Sequence, residues 1–159
     1  KPTLLVQKLA ELKALDVKNQ LKEKFSSGVI IAADTVVQFQ GKIIGKAKSE
    51  GEAFQILKLL SGKQHNLITG FALISLDDSK VFVDCDKTCV KFATISEKNI
   101  WNYIKSNEWK GRAGAYSIRE RASFFIEWIN GSFSNVLGLP MDKIFKALLK
   151  KFGINLLSI

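Results

Sequence analysis

One histidine, one methionine, two cysteines and two prolines are all that this chain of 159 residues holds of those types. A single histidine excludes a multi-histidine zinc site, and a Ser-His-Asp triad could run only through His65. No serine stands in a nucleophile-elbow sequence. Cys85 and Cys89 lie four apart in a stretch that reads as a strand, which puts them on one face about 13 Å apart. A disulfide needs Cα atoms within about 7 Å, so two free thiols in a reducing, cytoplasmic setting are expected. No uncharged stretch approaches the roughly 18 apolar residues of a membrane span. Lys1-Pro2-Thr3, followed by a charged helical pattern, does not read as a secretory signal. Without one, Asn130-Gly131-Ser132 reads as a turn and not as a glycosylation site.

Acidic residues are also scarce: 15 Asp and Glu stand against 24 Lys and Arg, a net charge of +9. That balance calls for an anionic partner, whether nucleic acid, nucleotide, phosphate or an acidic membrane. With 47% hydrophobic and 25% charged residues, the composition is that of a globular domain. It excludes disorder and a small disulfide scaffold.

Residues 3–24 read as a helix, with Leu5, Leu9 and Leu12 forming an apolar stripe. Val29 to Ala33 reads as a buried strand that ends at Asp34. Gln40-Gly41 turns the chain into a short strand, 42–45. Ser49 and Glu52 have capping-box spacing before a helix with Ala53, Ile56, Leu57 and Leu60 on its apolar side. Residues 64–76 and 80–94 form a predicted hairpin through Asp77-Asp78-Ser79. Ser96 caps a third helix, 115–118 and 123–129 read as strands, and Pro140 opens a last helix at its first position, which Gly153 ends. The last helix turns Ile144, Leu148 and Phe152 inward. Helices alternating with strands and a hairpin predict a single α/β domain, 1–159, built on a mixed sheet.

Asp34 stands out. A carboxylate at a strand's carboxyl end is where open α/β sheets place ligands, although an Asp there could equally form a turn or cap a helix. Lys42, Lys46 and Lys48 follow closely. Gly41 to Ala47 is no phosphate-binding P-loop: three residues, not four, separate the glycines, and Ala follows Lys46. His65 is expected to pack or to make one hydrogen bond. Trp101, Trp109, Trp128 and the phenylalanines are expected in the core, because Phe124, Ile126 and Trp128 alternate on a strand and are not interleaved with Lys and Arg.

Five ordered segments carry a resemblance. Ala33-Asp34-Thr35-Val36-Val37 matches an A-D-T-V-V pattern, and Gly45-Lys46-Ala47-Lys48 is similar to G-K-P-K. Leu60-Ser61-Gly62 with His65, Thr69 and Gly70 resembles L-S-G-x-x-H-x-V-x-T-G. Ala113 to Ile118 resembles A-G-A-Y-G-I, and Gly131 to Pro140 resembles G-x-Y-S-N-V-x-G-L-P. Together they resemble the Maf family of nucleoside triphosphate pyrophosphatases, house-cleaning enzymes that release monophosphate and pyrophosphate with a divalent metal (Mg, Mn or Co). The resemblance implies an elongated, twisted sheet flanked by helices, as in inosine triphosphate pyrophosphatases, and a homodimer. The Ala-Gly-Ala-Tyr form resembles the branch acting on dTTP, UTP and modified pyrimidine nucleotides. It implies that Asp34 is the catalytic carboxylate, as general base or metal ligand. It implies that Lys46, with Lys48 beside it, and Lys13, through Leu9-Ala10-x-x-Lys13-Ala14, bind phosphate and that Thr35 bears on substrate choice. Where the family has G-I-Q-G this chain reads Ser117-Ile118-Arg119-Glu120, and Arg119 becomes a candidate for phosphate. The family's S-x-S-P-R-R loop and a metal-site Glu would precede Lys1, which implies a longer natural chain. Two rival readings are a non-catalytic relative that binds nucleotide, nucleic acid or a cell-division partner, and a purine-directed pyrophosphatase of the inosine triphosphate type. A membrane partner is not expected, and nucleic acid is disfavoured.

Overall fold

A computed structural model describes residues 1–158. Helix α1 (Pro2–Leu21) leads into β1 (Val29–Phe39) and β2 (Lys42–Ile44). Then come α2 (Glu50–Leu60), the hairpin β3 (Gln64–Ser75) and β4 (Val81–Phe92), and α3 (Glu97–Ile104). A 3₁₀ turn (Arg121–Phe125), β5 (Ile126–Asn130), α4 (Phe133–Val136) and α5 (Met141–Ala147) follow; a π-helical turn (Leu148–Phe152) carries α5 on to Gly153, and a 3₁₀ turn (Leu156–Ser158) comes last. The strands form one sheet in the order β2-β1-β3-β4-β5. The α/β class, with helices flanking one sheet, is as expected. The mixed pairing is not: all four pairings are antiparallel. The alternation had suggested a parallel crossover, and β2 and β3 do run the same way on either side of α2. But β1 lies between them and opposes both.

The short β2 follows a turn in which Gln40 and Gly41 both have positive φ, as a tight hairpin requires. Ser49 caps α2 by accepting a hydrogen bond from the Glu52 amide, 3.2 Å, while the Glu52 carboxylate accepts from the Lys48 amide, 2.7 Å. Ser96 caps α3 in the same way at the Asn99 amide. Pro140 sits one place earlier than expected, as the N-cap of α5.

Helix α1 corrects the sequence reading of its face. It buries Val6, Ala10 and Ala14 against the sheet, whereas Leu5 and Leu12 are 41% and 49% exposed. The reason is a close approach. A Cβ on Gly70 would lie 2.3 Å from the Val6 carbonyl carbon, so the helix axis sits too near β3 for leucines to fit beneath it. Ala10 and Ala14 pack on Ile30, Ala72 and Ile74, and Val6 on Val36 and Ile68.

The larger core fills the other face of the sheet, with Val37, Leu57, Leu60, Leu67, Val90, Phe92, Ile100 and Trp109. Phe92 is fully buried, and removing such a ring from water stabilises the fold by about 2–3 kcal/mol. A smaller cluster seats Ile144 and Leu148 on Phe71 and Leu73, with Phe152 packed against it.

Three further expectations change. Asp34 lies inside β1 and not at its end, paired with Gly70, because the β-branched run Thr35-Val36-Val37 extends the strand. Residues 115–118 are loop, and 123–125 belong to the 3₁₀ turn; Gly111, Gly114 and Ala115 all have positive φ, which no strand accommodates. Phe124 is 88% exposed, and Trp101 and Trp128 are about two-fifths exposed, while Trp109 is buried. Phe124 precedes β5, so the alternation that suggested a core position does not apply to it. Both cysteines are free thiols. Among the described residues, no helix is long and apolar enough to cross a membrane.

Candidate functional site

Strand β1 pairs with β3 over most of its length, but β2 covers only Val37 to Phe39. The rest of that edge has no strand against it among the described residues. A cavity of about 260 Å³ lies there, lined by Ala33, Asp34, Thr35 and Lys13 on one side. The chain from Gly111 to Arg119 and residues 136–138 form the remaining walls, with Lys46 and Leu67.

The alternation of β1 divides the site. Asp34 shares the α1 face with Ile30 and Val36, and there Lys13 forms an ion pair with its carboxylate. The Lys13 ammonium also donates to the Ala33 carbonyl oxygen, 3.2 Å. The seating of Ala10 and Ala14 on the sheet sets the rotation of α1 that turns Lys13 to this edge. Thr35 lies on the opposite face, opposite Thr69, with Leu67 two residues along β3. Its hydroxyl is 2.8 Å from that of Thr69.

Lys46 follows β2 and pairs through its backbone with Ala113; the Gly114 amide donates to the Gly45 carbonyl, 3.2 Å. This contact brings the loop from Gly111 onward against the lysine. A Cβ at Gly114 would meet Val37 Cγ2 at 2.8 Å, so the loop can lie this close only with glycine there. Tyr116 anchors the loop from below: its hydroxyl is 2.8 Å from His65 Nε2. The Ser117 amide donates to the Tyr103 hydroxyl, 3.4 Å. Burial pulls the His65 pKa down to about 4 and pushes Tyr116 well above the usual phenol range. Both are therefore neutral near pH 7, and His65 serves as packing plus one hydrogen bond, as the sequence suggested.

Four cationic side chains, Lys13, Lys46, Arg112 and Arg119, line the cavity with one carboxylate, Asp34. Among the described residues, the ion pairs leave Lys46, Arg112 and Arg119 without a carboxylate within 4.0 Å. Such a wall attracts a polyanion. The structure thus brings together Lys13, Asp34, Thr35, Lys46 and Arg119. Lys48 is exposed and does not line the cavity; its amide is spent on the α2 cap. Arg112 was missed. Its only sequence signal is its place in the glycine-flanked loop, and what matters is the distant pairing of Ala113 with Lys46. Volume does not select the site: a cavity of about 490 Å³ beside α3 has Arg121 as its one charged wall residue, and Glu108 pairs with it.

No cluster of three or more His, Cys, Asp or Glu among the described residues could hold a metal by itself. A magnesium ion, however, is commonly held by one or two carboxylates and the phosphates of its substrate. Asp34, the one carboxylate beside the cationic side chains that line the cavity, fits that arrangement.

The chain matches the family model described as Maf-like protein over residues 1–151. It is 41% identical to a dTTP/UTP pyrophosphatase of Thermococcus gammatolerans, over 94% of this chain and 76% of that one. It is 44% identical to proteins of the same name from Clostridium perfringens, over 90% and 73%, and from Alkaliphilus oremlandii, over 96% and 78%. With a family match over nearly the whole chain and relatives of this identity, the chain belongs to the Maf-like family.

Proposed function

We propose that this protein hydrolyses nucleoside triphosphates, with dTTP, UTP or modified pyrimidine nucleotides as substrates, to monophosphate and pyrophosphate. The observation that carries the reading is the cavity wall of four cations around one carboxylate. The names of its relatives supply the substrate class. Lys46, Arg112 and Arg119 meet the triphosphate and stabilise the charge that builds on the departing pyrophosphate. Asp34 orients the water that attacks the α-phosphorus and accepts its proton, or holds the metal. A divalent ion bound there would polarise the phosphoryl oxygens and cover part of their charge. Lys13, paired with Asp34 in the free protein, is within reach of the same phosphates. Thr35, with Leu67 and Val136 nearby, faces the nucleoside. No covalent intermediate is needed, and none of the cavity's lining residues is a cysteine. The homodimer and the cytoplasmic setting implied by the resemblance belong to this reading; sedimentation and fractionation check them.

The test is hydrolysis of UTP in ¹⁸O-labelled water by the natural chain carrying this sequence, with Mg²⁺, Mn²⁺ or Co²⁺ present. Attack at the α-phosphorus places the label in the monophosphate. Label in the pyrophosphate, or products of diphosphate and inorganic phosphate, would overturn the mechanism. Tight binding without turnover would support the non-catalytic alternative.

A further inference from the structure

Thr35 is tied into a chain of hydrogen bonds that ends on a carbonyl oxygen. The Thr69 hydroxyl, fully buried, donates to the Asn135 carbonyl oxygen at 3.3 Å and lies 2.8 Å from the Thr35 hydroxyl. A carbonyl only accepts, and a hydroxyl has one proton to give. With Thr69's proton committed to Asn135, the bond between the two threonines takes the proton of Thr35. The Thr35 oxygen then offers the cavity lone pairs and no donor.

Asn135 holds its end of the chain firmly. It is fully buried, its side-chain amide donates to the Thr88 hydroxyl at 2.8 Å and to the Leu67 carbonyl at 3.4 Å, and its own amide donates to the Ser132 hydroxyl at 3.2 Å. The carbonyl cannot turn away without breaking these. Leu67, Val136 and Leu137 line the same cavity, and their side chains carry no donor. The charged partners Asp34 and Lys13 are on the other face of β1.

We propose that Thr69 is a positioning residue that makes Thr35 an acceptor-only contact for ring position 3 of a pyrimidine, so that the cavity favours a base with an N–H at that position. Uracil and thymine carry that donor at N3, whereas cytosine has a bare acceptor there. This rests on the proposed function for the presence of a nucleotide, and adds the element that selects its base.

The experiment measures binding of α,β-imido analogues of UTP and CTP by calorimetry, alongside pyrophosphate release from UTP and CTP. Thr69→Val frees the Thr35 hydroxyl to point either way. The preference for uracil over cytosine is expected to fall about tenfold, the worth of one hydrogen bond. Thr69→Ser restores it. Thr35→Val, in a side chain that lines the cavity, loses the same preference, and combining it with Thr69→Val costs nothing further. An unchanged ratio in Thr69→Val or in Thr35→Val overturns the proposal while leaving pyrophosphatase activity standing. Loss of the binding preference in a protein that releases no pyrophosphate supports the proposal and sinks the proposed activity.

Discussion

At the scale of single residues, His65 shows how burial sets a protonation state. Its pKa is near 4 in the folded protein against 6.5 when exposed, because the ring is removed from water. Between these values the unfolded chain binds a proton that the folded chain does not. Stability from this group is therefore complete above pH 6.5 and is lost as pH falls toward 4, by about 3 kcal/mol in all. Denaturant melts of wild type and His65→Phe across pH 7 to 4 check it: the wild-type curve should fall more steeply, and parallel curves would contradict the argument. Arg112 makes a different kind of prediction. With no carboxylate within 4.0 Å among the described residues, its guanidinium can meet phosphate oxygens. Arg112→Ala is expected to lower kcat/KM for UTP about tenfold, with kcat itself falling because charge on the departing pyrophosphate loses a partner, and Arg112→Lys to recover part of the loss.

Among the elements, α1 is the most instructive. Its leucines repeat at helical spacing, yet it buries the alanine side. The signal that decides is not in the helix but in Gly70, 64 residues after Val6, where the absent side chain admits the helix backbone. Gly70→Ala should destabilise the fold by about 1–3 kcal/mol and also lower activity, since lifting α1 moves Lys13 from Asp34. Leu12→Ala, on the exposed side, should change stability by less than about 0.5 kcal/mol. Thermal melts and pyrophosphate assays on the two variants separate these effects. The same contrast explains what could be read from the sequence. The serine caps, the Gln40-Gly41 turn and the β3–β4 hairpin rest on neighbouring residues, and they were legible. Asp34, Lys13, Thr35 and Lys46 were singled out through motifs, and Arg119 through a departure from one; the structure brings all five to one cavity. Arg112 and the Thr69 relay were not singled out, because they depend on Ala113 meeting Lys46 and on Asn135 meeting Thr69 across 66 positions.

For the whole molecule, the charge of +9 acquires a focus. Most lysines are spread over the surface, but four cations converge on one cavity with one carboxylate among them. Phosphate binding there should weaken with added salt, as screening shortens the reach of the field. In the proposed reaction Asp34 acts on a nucleotide held by those cations. The most direct measurement is the rate of pyrophosphate release from dTTP and UTP by wild type and Asp34→Asn, both checked for folding by circular dichroism. Asp34→Asn is expected to lose at least about 10²-fold in kcat/KM while keeping its fold and its affinity for the product monophosphate. Undiminished release by Asp34→Asn would contradict it.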